Sequence, residues 1–211
     1  MNILTDVLPD IVEVNGTDFE INTDFRASVE FAVMLENEER DYLKMLRPFF
    51  PNGLPSDIVG AFTAAVWFFR RGKDTEETEN EETGENDKKA DAPKAEKSPK
   101  RAYSFQVDAD AIFADFWQYY GIDLSVAPLH WWKFCALLAE LPGESNYKQR
   151  IYYRTCDLSE LPKAEKKRIQ KIRKEIAIEN KGRQKMTLEE RNKMMRDYVL
   201  HRTKTKNEGG G

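Results

Sequence analysis

Apolar positions along this chain fall into short helical patterns divided by turn signals, with one early stretch that reads differently. Ile11-Val12-Glu13-Val14, then Asn15-Gly16, then Phe19-Glu20-Ile21 predict a short β-hairpin, because Asn-Gly accepts positive φ at both positions of a tight turn. Two strands alone are marginal, so this ribbon is expected to pack on helices. Thr23 or Asp24 can cap a helix carrying Phe25, Val29, Ala32, Val33 and Leu35. A shorter helical piece, Asp41 to Arg47, ends at Pro48. Phe49-Phe50-Pro51-Asn52-Gly53 then has turn chemistry with two aromatics tucked under it. Pro55-Ser56-Asp57 opens another helix, in which Ile58, Phe62, Ala65, Val66 and Phe69 keep helical spacing, and Gly72 ends it.

The densest aromatic stretch runs from Tyr103 to Leu141 and holds every Trp except Trp67. It reads as two helices around one turn. Asp108 can cap the first, and Ile112, Phe113, Phe116, Trp117 and Tyr120 recur at helical steps that place them on one side. Gly121 sits where a left-handed residue closes a helix. Ser125 is a candidate cap for the second helix, Leu129 to Leu141, and Pro128 suits its first turn. That helix is apolar almost all round, which predicts burial on several sides, and Pro142-Gly143 stops it. Trp117, Trp131, Trp132 and Phe134 are the expected core. Asn146 to Arg154 follows as a helix with Tyr147, Ile151 and Tyr152 on its apolar side. Pro162 opens a longer one with a narrow stripe of Ile169, Ile172 and Ile176, and Thr187 with Glu190 fits a capping box for a last helix carrying Leu188, Met195 and Val199.

Composition adds one element to this pattern. Lys73 to Arg101 contains no Val, Ile, Leu, Met or aromatic residue, so it cannot bury enough apolar surface to offset its chain entropy and is expected to be a disordered linker. An insertion into one core and a boundary between two domains both fit it. The expected division is 1–72, hairpin plus helices; 73–101, linker; 102–182, aromatic-rich helical region; 183–211, basic helix and tail. The fold class that follows is mainly α, with a small N-terminal β-hairpin and a long disordered insertion.

Charge is distributed unevenly. Residues 1–72 carry 6 basic and 12 acidic side chains, whereas 160–206 carry 16 basic and 7 acidic, within a net charge of −4. The picture is an acidic body with a basic tail. No stretch approaches the roughly 20 apolar residues of a membrane helix, and MNILTDVLPDIVEV has no basic region ahead of an apolar run, so neither a membrane span nor a secretory signal is expected. Cys135 and Cys156 have no partner spacing and read as reduced thiols of a cytoplasmic protein.

Candidate chemistry changes little. There is no P-loop, G-x-G-x-x-G, H-E-x-x-H or C-x-x-C pattern. His130, beside Trp131 and Trp132, lacks a partner that would make it a catalytic base and reads as a hydrogen-bonded packing residue. Asp108-Ala109-Asp110 lies where a helix begins, where carboxylates favour the macrodipole, and has no further ligands for a metal. The basic segment from Lys163 to Lys206 could neutralise phosphates, but Tyr198 is its only aromatic, so it has no stacking platform for single strands. No enzymatic activity, cofactor or metal is expected, and nucleic acid is disfavoured as a partner.

Three stretches carry a family resemblance: LPDIVEVNGTDFEINTDFR near the start; Tyr103 to Tyr120 continuing into YGIDL; and LHWWKFCALLAEL running into YKQRIYYR and the basic helix. Across most of residues 1–180 the chain resembles the bacteriophage gene-product-fifteen family of long-tailed phages, mainly those of Gram-positive hosts. The gene of such a protein usually lies between those of the major tail protein and the tape measure protein. The resemblance therefore implies a tail assembly chaperone of the host cytoplasm, which coats the tape measure until tube subunits polymerise around it. It implies no catalytic residue. The tape measure protein is the implied partner; the major tail protein, a companion chaperone and a second copy of the chain are further candidates. Phe49, Phe50, Trp67 and Tyr152 are the candidate partner-binding aromatics. Rival readings are a structural tail or head–tail component kept in the virion, and a nucleic-acid-binding protein using the basic segment.

Overall fold

A computed structural model of the chain describes residues 2–73 and 101–178, together with Lys193 and Arg196, both helical and exposed. The expected linker and the Thr187–Glu190 capping box lie outside the described residues. The chain divides into two compact units, the first described over 2–73 and the second over 101–178. Within 2–73 and 101–178 stand seven helical segments and one two-stranded sheet, so the fold is mainly α with a small N-terminal hairpin.

In the first unit, β1 (Ile11–Val14) pairs antiparallel with β2 (Thr17–Glu20), Val14 facing Thr17 across the turn. Asn15 at φ 56° and Gly16 at φ 75° supply the two left-handed positions that the tight turn requires. Three helices follow, each opened by an aspartate whose side chain accepts an orphan backbone N–H. Asp24 serves α1 (Phe25–Glu36), Asp41 serves α2 (Tyr42–Leu46) and Asp57 serves α3 (Ile58–Phe69). Val12 and Val14 turn inward towards α3. A Cβ at Gly60 would stand 3.0 Å from Val14 Cγ1 and 2.7 Å from Asp57 Oδ2, so the glycine lets α3 approach β1 this closely.

Phe31 centres this unit's core, with Phe49, Phe62 and Phe69 rings at 5.1, 6.0 and 5.3 Å. The buried face of α1 is therefore rotated from the expected stripe. Phe25, Ser28, Phe31, Ala32 and Met34 go inside, while Val29, Val33 and Leu35 are half-buried. Ser28 comes in with its larger neighbours, and its Oγ is buried without a hydrogen-bond partner. Such a hydroxyl costs about 1–3 kcal/mol in lost hydration. Ser28→Ala is accordingly expected to raise stability by about 1 kcal/mol, read as a higher denaturation midpoint at unchanged slope. A loss of similar size would show that the hydroxyl is satisfied in solution.

The second unit consists of α4 (Ala109–Tyr120), α5 (Trp131–Ala139), α6 (Asn146–Thr155) and α7 (Lys163–Glu175). Gly121, left-handed at φ 64°, closes α4: its N–H donates to Trp117 O, and that of Ile122 to Phe116 O. The start of α5 departs from expectation. His130 Nδ1, not a Ser125 oxygen, accepts the Trp132 N–H at 3.0 Å, and Ser125 bonds to Asp123 instead. Because Nδ1 accepts, the neutral imidazole carries its proton on Nε2. Phe134 lies at the centre, stacked on Phe116 at 5.1 Å and Trp131 at 5.7 Å, and Phe105 closes on both Trp131 and Phe134. Tyr120 Oη donates to Leu137 O and joins α4 to α5. Trp131, Trp132 and Phe134 are core residues as expected. Trp117 is not, and is 56% exposed.

Candidate functional site

The outward position of Trp117 follows from what α4 turns inward. Its buried side consists of Asp108, Ala111, Ile112, Asp115 and Phe116, so two carboxylates take places that apolar spacing assigns to Phe113 and Trp117. Each carboxylate is held by a later part of the chain. Asp108 stands at the cap position just before α4, but its side chain caps nothing. It forms a two-pronged pair with Arg154 on α6, Nη1 to Oδ2 at 2.6 Å and Nη2 to Oδ1 at 2.7 Å, and also accepts from Arg150 Nη1 and the Ser104 N–H. Arg154 donates further to Ala102 O and Ile176 O, so one guanidinium ties together the approach to α4, the end of α6 and the end of α7. Burial pushes the Asp108 carboxyl up. The Arg154 hydrogen bonds, the Ser104 N–H and Arg150 outweigh it and hold the group below its ordinary value.

Asp115 accepts the Asn146 and Tyr147 N–H groups at 3.1 and 2.7 Å and the Asn146 side-chain amide at 3.1 Å. It therefore supplies negative charge to the N-terminus of α6 from a neighbouring helix. Ser145 Oγ adds the local cap through the Lys148 N–H. On the far side of α6, Arg173 Nε donates to Tyr153 O at 2.6 Å, and its Nη2 to Cys156 O, which pins α7.

With its polar residues drawn inward, α4 turns an aromatic face outward. Phe113 and Trp117, four apart and therefore adjacent on the helix surface, are 41% and 56% exposed, with Ala114 exposed between them. Trp117 points almost directly away from the buried side. Beside this face a shallow groove of about 370 Å³ runs between α4, α6 and α7, lined by Ala114, Asp110, Gln149, Arg150, Tyr153 and Ile172. Among the described residues no group of three His, Cys, Asp or Glu side chains could hold a metal ion, and no helix is long and apolar enough to cross a membrane.

The four candidate aromatics are not one surface. Phe49 and Phe50 are buried in the first unit, Phe49 against Phe31 and Phe68, Phe50 against Phe19. The turn that follows Pro48 folds both rings beneath itself, as its chemistry predicts, so neither is on the surface as a partner-binding aromatic would be. Trp67 on α3 is half-buried. Tyr152 on α6, expected on that helix's apolar side, is 53% exposed and stacks edge-on to Tyr153. Phe113 and Trp117 are the exposed aromatics that periodicity hid.

A family model described as Bacteriophage Gp15 protein matches residues 4–178. The chain belongs to this family. No curated protein and no solved structure matches it. As a Bacteriophage Gp15 protein, the chain is a phage protein of structural or assembly-related character. The matched residues run from the arm before the hairpin through α7, so the aromatic face of α4 and the frame that holds it lie inside the family region.

Proposed function

We propose that this Gp15-family protein is a tail assembly chaperone that binds the tape measure protein in the host cytoplasm and keeps it soluble while the tail tube assembles. The observation that carries this reading is the Phe113–Trp117 pair, presented on a rigid helix away from its core. A tape measure is a long helix with apolar stripes, and recognition of such a helix needs aromatic or apolar side chains that enter its i, i+3, i+4 spacing. Large aromatics are also the side chains most often found to dominate interface energies. Release is by competition from tube subunits, with no nucleotide step and no catalysis by the chain.

Co-expression with a tape measure protein should raise its soluble yield and give a complex on gel filtration. The double variant Phe113→Ala/Trp117→Ala should keep the native circular dichroism and lose the complex, with each substitution weakening binding by about 30-fold. Unchanged tape measure solubility with the native chain, and no co-elution, would end the proposal. Mass spectrometry of purified virions should not find the protein. Its presence at structural copy number would favour a retained tail component.

A further inference from the structure

Two surfaces of opposite charge are left unused by the fold, one in each unit. On α7 the inward residue is Ile169, with Ile172 half-buried beside it. At 3.6 residues per turn, the side opposite Ile169 carries Lys163, Lys167, Lys171 and Lys174. All four are exposed, and none of their ammonium groups has a hydrogen bond or ion pair among the described residues, although Glu175 borders the row one turn after Lys171. The cations on the inner side are committed instead, Lys166 to Ser159 O and Arg173 to Tyr153 O. The lysine row is about 16 Å long.

The second surface is the outer face of the hairpin. With Val12 and Val14 inside, Ile11 and Glu13 point outward, and the register sets Glu13 opposite Asp18 and Ile11 opposite Glu20. Like charges directly across a strand pair destabilise it. Nevertheless, no cation answers Glu13 or Asp18 among the described residues. Ile11, 51% exposed, sits beside them.

We propose that the outer hairpin face of one copy docks on the lysine row of α7 in a second copy. The charges are complementary and the spacings agree: Glu13 and Asp18 are about 5 Å apart across the pair, and Lys167 and Lys171 about 6 Å apart along the helix. The lysine stems can cover Ile11 while their ammonium groups reach the carboxylates. Nucleic acid would answer only the lysines. It would leave the acidic face unexplained and would meet a chain of net charge −4. Each copy offers one hairpin and one lysine row, so two copies exchange both contacts in a closed pair or add further copies head to tail. It holds whether or not the chain binds a tape measure.

Sedimentation velocity on the full chain tests this. Association should grow with protein concentration at low salt and disappear by about 0.5 M salt, where charges a few ångströms apart are screened. Glu13→Lys/Asp18→Lys and Lys167→Glu/Lys171→Glu should each weaken association about tenfold or more. Mixing the two should restore it, because each carries the native face that the other lacks. Should a reversal disturb the fold by circular dichroism, Glu13→Gln/Asp18→Asn and Lys167→Gln/Lys171→Gln give the same reading with smaller loss. A native chain that stays monomeric at low salt overturns the proposal. So does a mixture of variants that stays monomeric. Loss of DNA-duplex binding in Lys167→Glu/Lys171→Glu, with no change in self-association, also overturns it in favour of a phosphate partner.

Discussion

Asp108→Ala should destabilise the second unit by about 3–5 kcal/mol, the usual cost of removing one member of a buried ion pair. The cost comes from what remains. The Arg154 guanidinium, with a side chain only 6% exposed, would keep its charge in the interior with two of its hydrogen bonds gone. The replacement also removes the carboxylate that accepts the Ser104 N–H and one of the two acceptors of Arg150, which keeps Val107 O. Replacing both partners by apolar residues of similar size, Asp108→Leu with Arg154→Met, should recover much of the loss, since no charge is then stranded. Urea denaturation followed by the near-ultraviolet signal of Trp131 and Trp132 reads the effect. A loss below about 1 kcal/mol for Asp108→Ala would mean that water reaches the pair.

The same pair sets the acid limb of stability. The Asp108 carboxyl is held below its ordinary value in the folded chain, so the unfolded chain takes up the proton first. The stability contributed by this group is therefore fully present above about pH 4, the unfolded carboxyl's range, and is lost as pH falls through the lower folded value. In the double apolar variant that part of the acid limb should flatten.

Phe116→Ala and Trp117→Ala should differ more than any other neighbouring pair in the second unit. Phe116 is fully buried, stacked on Phe134 and edge-on to Tyr120 at 5.5 Å. Its truncation opens a cavity in the middle of the core and should cost about 3–5 kcal/mol. Trp117 points into solvent, and its truncation should change stability by no more than about 0.5 kcal/mol. Thermal melts by far-ultraviolet circular dichroism compare the two without relying on tryptophan fluorescence. Equal losses would place Trp117 in the core after all.

Much of the fold was legible because its signals are local. Asn15-Gly16 specifies a tight turn by its own chemistry, Asp24, Asp41 and Asp57 stand immediately before apolar helices, and Gly121 marks where α4 stops. The aromatic face was not legible. Asp108 and Asp115 are buried by partners 46 and about 31 positions further on, and nothing near them in the chain announces those partners. A count of apolar spacing sees only Phe113, Phe116 and Trp117 and assigns all three to the inside. Ser28 misleads in the same way on α1, where the bulk of Phe31 decides which side faces in. At Phe49 and Phe50 the turn was readable, but the depth of their burial depends on Phe31, Phe68 and Phe19 from three other elements.

The long reach of Arg154 has a consequence for how this protein is made. Its guanidinium closes on Asp108 and Ala102 behind it and on Ile176 ahead, while α6 starts on a carboxylate contributed by α4. A nascent chain that has delivered α4 and α5, but not yet α6 and α7, holds Asp108 with only the Ser104 N–H to answer it and Asp115 without the N–H groups of Asn146 and Tyr147. The polar frame of the second unit therefore closes only after Ile176, at the end of its last helix, has left the ribosome.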